Sequence, residues 1–187
     1  QALEMEVDVL VNNAGFGMAG GNFHDSDAAR QQQMLALNVG AVMDLARTFL
    51  PAMVERKSGA IINIASLAGF QPTPYMTVYG ATKSFVLSFS EGLWAEYRGK
   101  GVRVLAVCPG PVDTPFFEAT GDASMRKLIP PGTMVTAQQV VAASLKALSQ
   151  GRSFVVPGAI MKAASLLPRL LPRGAVAWVS AGQAGAR

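Results

Sequence analysis

Three apolar, β-branched runs are separated by long stretches of helical period, and this alternation constrains the fold more than any other feature. The runs Val7-Asp8-Val9-Leu10-Val11, Ala60-Ile61-Ile62-Asn63-Ile64-Ala65 and Val102-Arg103-Val104-Leu105-Ala106-Val107-Cys108 read as buried strands. Asp25 or Ser26 caps a helix expected to reach about Lys57, with Met34, Leu37, Ala41, Leu45 and Phe49 on its apolar side and Pro51 as a kink or break. A second helix is expected from about Val78 to Arg98, with Ala81, Phe85, Phe89, Leu93 and Tyr97 on one side. Residues 113–135 read as an irregular loop, Thr136 as the cap of a helix ending near Ser149, and Arg152–Val156 as a short strand. Strands joined by helices require right-handed crossovers, so a single α/β domain with a doubly wound parallel sheet is predicted. Ligands of such sheets sit outside the carboxyl ends of the strands. Here those ends carry Asn12-Asn13-Ala14-Gly15, Ser66 and Pro109-Gly110.

Half of the residues are apolar and 15% are charged, which excludes a disordered chain. One cysteine, Cys108, excludes a disulfide framework and a cysteine-based zinc site. No metal is expected, and a reducing, cytoplasmic setting is. Cys108 ends a strand and reads as a buried, inert thiol, and His24, the single histidine, receives no role. Residues 1–122 carry 8 basic and 12 acidic side chains, whereas residues 123–187 carry 8 basic and none acidic. A nucleic-acid binder would be basic throughout, so no nucleic acid is expected. The basic, apolar tail, residues 157–187, reads either as a solvated face or as a surface for an anionic partner. No uninterrupted apolar run reaches spanning length, and Pro168 and Pro172 break the tail's helix, so attachment to a membrane is not expected. Residues 1–8 are mixed and acidic, and no signal peptide is read there.

Tyr79 and Lys83 stand four apart on the second helix and therefore share a face. Alone, such a pair reads as a solvated phenol and a surface amine. Ser66 lies 13 residues upstream at a strand end, Asn38 sits inside the first helix, and Pro109-Gly110-Pro111-Val112-Asp113-Thr114 follows the third strand. At these four separately spaced elements, and over Val7 to about Val156, the sequence resembles the short-chain dehydrogenase/reductase family. The stretches Ala65–Pro72 and Tyr79–Glu91, and Val155-Val156-Pro157-Gly158, resemble a bacterial branch often labelled DltE-like.

The resemblance implies a Rossmann-type fold and reversible hydride transfer between a nicotinamide cofactor, NADP favoured over NAD, and a carbonyl or secondary alcohol. Tyr79 would be the general acid/base, its pKa lowered from near 10 by the Lys83 ammonium together with the positive ring of the oxidised cofactor. Ser66 would hydrogen-bond the reacting oxygen, and Asn38 would hold a water linking Lys83 to solvent. Asn13, Ala14, Gly15, Tyr79, Lys83, Pro109, Gly110, Val112 and Thr114 would hold the cofactor, with Asn12 tying strands together. The glycine turn that cradles a pyrophosphate in this family is not in the sequence, and Gly15–Gly21 follow the wrong strand to replace it. The chain is therefore expected to be a fragment lacking about 75 residues, inactive alone and with an open sheet edge. Phe116, Phe117, Met125, Leu128 and Ile129 in the 113–135 loop point to a small apolar substrate. A homodimer or homotetramer is implied by the family. The alternative reading is a non-catalytic nucleotide-binding or membrane-surface scaffold on the same fold.

Overall fold

The structure, a computed structural model, describes residues 6–18, 21–120, 126 and 129–185. Four parallel strands pair in chain order: β1 (Val9–Asn12), β2 (Gly59–Ile64), β3 (Val102–Val107) and β4 (Phe154–Val155). Asn12 stands opposite Asn63, and Ile64 opposite Val107, so the strand ends come level. Parallel neighbours must be joined by crossovers. These are α1 and α2 (Ala28–Leu35 and Val42–Glu55), α3 (Thr77–Tyr97), and, after the short α4 (Phe116–Ala119), α5 (Ala137–Ser149).

Helices cover both faces of the sheet, as expected. On one side Ile61, Val102 and Val104 meet Ala46, Leu50 and Met53 of α2. On the other Ala60, Ile62, Leu105 and Val107 meet Ala147 and Leu148 of α5. Each fully buried aliphatic side chain contributes roughly 1.5–3 kcal/mol. The start of α5 is fixed by a capping box: the Gln139 N–H donates to the Thr136 hydroxyl at 3.2 Å, and the Thr136 N–H donates to the Gln139 side chain at 2.8 Å.

Two helix faces differ from expectation. The first helix starts after Asp27, whose side chain accepts from the Arg30 N–H at 3.1 Å, and is interrupted by a π-helical turn at Ala36–Ala41. It runs through Pro51 unbroken. Its buried stripe is Met34, Asn38, Val42, Ala46, Leu50 and Met53, not Leu37, Ala41, Leu45 and Phe49. A spacing of four drifts around a regular α-helix, and the wider π-turn absorbs that drift. Met43, beside this stripe, is 45% exposed. By length and apolarity Ala28–Glu55 could cross a membrane, but its buried stripe is packed on the sheet and includes Asn38. On α3 the buried set is Tyr79, Gly80, Thr82, Lys83, Val86, Leu87 and Ser90, while Ala81 and Phe85 face outward. Phe89, Leu93 and Tyr97 of the expected stripe do pack on the core, and Phe89 stacks on the exposed Phe85 at 5.5 Å, but the fully buried side of α3 carries polar groups that hydrophobic periodicity does not find.

β1 is an edge strand with Val9 and Val11 exposed. After β4 the tail forms α6 (Ala159–Ala164), α7 (Leu167–Leu170) and α8 (Arg173–Gly185), with Pro168 in the first turn of α7 and Pro172 just before α8.

Candidate functional site

β2 ends at Ile64, and two residues later Ser66 caps a short 3-10 turn, Leu67–Phe70, its hydroxyl accepting from the Ala68 N–H at 3.1 Å. That bond uses a lone pair and leaves the hydroxyl proton free to be donated. The Tyr79 side chain is buried on the first turns of α3, near enough to Ser66 for the serine to lower its pKa. One turn further on, the Lys83 Nζ donates to the Ile64 carbonyl at 2.8 Å and lies 5.8 Å from the Tyr79 ring centre. Serine, tyrosine and lysine are thus gathered at the end of β2.

Asn38 completes the group. It is buried in the π-turn, and such turns recur at functional sites. Its side chain accepts from the Phe16 N–H at 3.2 Å and donates to the Phe16 carbonyl at 2.9 Å and the Thr82 hydroxyl at 3.2 Å. Thr82 in turn donates to the Tyr79 carbonyl at 2.7 Å. Asn38 therefore clamps the loop after β1 to the face of α3 that carries Tyr79 and Lys83.

Gly15 explains why that loop needs a glycine. A Cβ there would stand 2.9 Å from the Asn38 Oδ1 and 3.5 Å from the Lys83 Nζ, filling the space where the two meet. Asn13, Ala14 and Gly15 lie exposed beside this space. An exposed backbone above a buried ammonium fits the ribose end of a nicotinamide cofactor. Pro109 accepts a hydrogen bond from the Leu67 N–H at 2.8 Å, which ties the turn after β3 to the one after β2. Val112 bridges to Val135, and Thr114 is half-buried just before α4. Gly110 is occupied on its open side by Met161 of α6, since a Cβ there would come within 2.7 Å of that side chain.

Burial pushes the Tyr79 pKa up, and the Ser66 hydrogen bond pulls it partly back. The expected lowering by Lys83 is corrected: in the protein's own geometry, desolvation of the phenol dominates. Burial also drives the Lys83 ammonium down to about 8, with the nearby Cys108 opposing. The Cys108 thiol is pushed up to about 12, by burial first and by Glu91 second. It is fully buried, as read from the sequence.

Several residues of the site gave no signal in the sequence. Thr82 is hidden inside the Tyr-to-Lys interval. Asn63 donates to the Ser90 hydroxyl at 2.9 Å and accepts from the Asn12 amide at 2.8 Å. This chain of side chains ties β1 and β2 to α3, the strand-tying role expected of Asn12. Phe116 packs its ring 5.7 Å from that of Tyr79, and Gly17 lies so close that a Cβ would be 3.1 Å from Phe116, 3.3 Å from Tyr79 and 3.4 Å from Met76. Phe117 is buried edge-on to Phe116 at 5.9 Å, and Ile129 is half-buried. Met125 and Leu128 lie outside the described residues. His24 is exposed beside Asp25 at 3.3 Å, away from these groups in the loop before α1.

Residues 1–124 match the family described as short chain dehydrogenase. The chain is 36% identical over 176 residues to a very-long-chain 3-oxoacyl-CoA reductase of Danio rerio, covering 89% of this chain and 53% of that protein. It is 38% identical over 125 residues to an uncharacterized oxidoreductase of Staphylococcus saprophyticus, covering 67% of this chain and 53% of that protein. Among solved structures, a short-chain dehydrogenase from Sphingobium yanoikuyae in complex with NADPH superposes with a TM-score of 0.73 at 29% identity, over 96% of this chain and 65% of that one. The chain thus spans about half the length of the two relatives it matches.

Proposed function

The chain belongs to the short-chain dehydrogenase family, and from that premise we propose that it carries the catalytic half of an NAD(P)-dependent oxidoreductase acting on a carbonyl or secondary alcohol. The observation that carries this reading is the convergence of Ser66, Tyr79 and Lys83 at the end of β2. When bound, a nicotinamide dinucleotide supplies or accepts the hydride. Asn13, Ala14, Gly15, Lys83, Pro109, Gly110, Val112 and Thr114 would hold its nicotinamide end. NADP is the proposed form, supported by the NADPH held by the Sphingobium protein.

The chain's own residues move the proton. Tyr79 donates its phenolic hydrogen to the substrate oxygen as a carbonyl is reduced and takes it back in oxidation. Ser66 donates to the same oxygen and stabilises the charge that builds there. A phenol held above its ordinary pKa is protonated at neutral pH, which suits it to act as the acid. Lys83 favours the phenolate once the proton has left, and Asn38 holds the loop that faces both. Phe116, Met76 and Gly17 around the phenol favour an apolar group beside the reacting carbonyl. The oxoacyl substrate in the Danio protein's name is compatible with that. Placement in the DltE-like branch, an oligomeric state and a cytoplasmic setting belong to this proposal. A complete Ser66–Tyr79–Lys83–Asn38 set weighs against a non-catalytic scaffold.

The test is Tyr79→Phe in an enzyme that also carries the cofactor-binding half, a change that keeps the ring and removes the phenolic hydroxyl. Carbonyl reduction is expected to fall about 10³-fold while nucleotide affinity is unchanged. Retained turnover would remove Tyr79 from the chemistry.

A further inference from the structure

The tail repeats one tetrapeptide: Leu166-Leu167-Pro168-Arg169 is followed at once by Leu170-Leu171-Pro172-Arg173. In the structure Met161, Ser165 and Val176 anchor the tail, with Met161 on Gly110 and the other two buried. The remaining large apolar residues face outward. Leu166, Leu167, Leu170 and Leu171 are all exposed, Leu170 by 78%, as are Ile160 and Val179. Trp178 is 80% exposed. The four leucines fall within six consecutive positions, a stretch of at most roughly 20 Å, so they concentrate exposed apolar surface in one short segment. Lys162 and Arg173 are exposed in the same segment. Residues 123–187 contain no carboxylate side chain and eight basic ones.

A patch of this kind needs an occupant. We infer that it is an anionic phospholipid surface, with the leucines and Trp178 entering the headgroup boundary and the basic side chains meeting lipid phosphates. Charge favours this occupant over a second tail: the tail is basic and without acid, so two tails repel each other while a negative surface attracts them, and a second copy docking through its acidic first part is an outcome that the test below separates. Trp178 suits a boundary, since its ring is apolar and its N–H seeks water. The expectation against membrane attachment rested on Pro168 and Pro172 interrupting one continuous helical face. The structure supplies a different geometry: the prolines divide the tail into short helices, and the leucine pairs at the breaks are exposed without a long amphipathic helix.

The test is co-sedimentation of the full chain with phosphatidylcholine vesicles, with and without about 30% phosphatidylglycerol. Binding is expected to be at least about tenfold tighter to the anionic vesicles and to weaken in about 0.5 M salt. Tryptophan emission should shift to the blue on binding, and a Trp94→Phe background assigns that shift to Trp178. Leu170→Glu with Leu171→Glu, and separately Lys162→Gln with Arg173→Gln, should each lower vesicle affinity about tenfold or more without moving the melting temperature, because these side chains are exposed. The inference is overturned if the chain fails to sediment with anionic vesicles, or binds neutral ones equally well. It is also overturned if the leucine variant only lowers the mass of a self-associated species.

Discussion

Lys83 is 6% exposed, and burial holds its pKa at about 8 against an ordinary 10.5. The ammonium therefore costs about 3 kcal/mol of stability at neutral pH relative to a lysine left in water. The sign follows from proton counting. Between pH 8 and 10.5 the unfolded chain holds a proton on Lys83 that the folded chain has released, so stability must rise with pH across that window. From pH 7 to 9 the gain from Lys83 is about 1 kcal/mol. Cys108 acts in the opposite sense, because its folded pKa of about 12 lies above an ordinary 9.0 and stability is lost as the unfolded thiol ionises. That loss is the smaller of the two up to pH 9, so a net rise remains. Tyr79, also raised, begins to lower stability only as pH passes 10. Lys83→Met removes the titrating amine while Cys108 remains. Urea unfolding of both proteins at pH 7, 8 and 9 should therefore show the original gaining about 1 kcal/mol on the variant. A difference that stays flat from pH 7 to 9 would refute the argument that desolvation governs this amine.

Gly101 has a φ of +80°, and a Cβ there would lie 1.9 Å from the Lys57 carbonyl oxygen, so Gly101→Ala should destabilise the fold by more than about 2 kcal/mol in a denaturant titration. Gly92 has open space in mid-α3, and Gly92→Ala should instead stabilise by about 0.5–1 kcal/mol in the same assay. Cys108 should resist a thiol reagent at pH 8 in the native protein and react at once in denaturant; rapid native labelling would contradict its burial. Phe116→Ala removes the ring beside Tyr79 and should raise kcat/KM for bulky ketones relative to small ones by about tenfold. An unchanged preference would place the substrate elsewhere.

Strand positions were legible in the sequence because a strand buried on both faces is a continuous apolar run, and Ile61, Ile62, Val104 and Leu105 declare it. Ser66, Tyr79, Lys83 and Asn38 stood out through the resemblance to the short-chain dehydrogenase/reductase family, since spacing alone reads Tyr79 and Lys83 as a solvated pair. Helix faces were legible only in part: Phe89, Leu93 and Tyr97 of α3 do pack on the core, but its buried polar stripe gave no signal. Hydrophobic periodicity finds the greasy side, and α3 turns Tyr79, Thr82, Lys83 and Ser90 inward because their polar atoms find partners on the sheet and on α3 itself. The π-turn at Asn38 was hidden as well, because its cause is a buried amide that must reach Phe16 and Thr82 together, a three-dimensional requirement. The phenol's direction of shift was missed for a related reason: charge spacing can be counted along a helix, but desolvation depends on everything packed around it.

Tyr79, Lys83 and Ser90 all sit on the inward stripe of α3, and Ser90 is bolted to β2 through Asn63. The helix is thus pinned to β2 at two heights, near residue 90 through Asn63 and at Lys83 through the Ile64 carbonyl. A substitution that loosens the pin near residue 90 lets the helix tilt about Lys83 and turns the phenol away from Ser66 without touching it. Loss of catalytic alignment should therefore precede loss of fold, and aim is the more fragile of the two inheritances in this sequence.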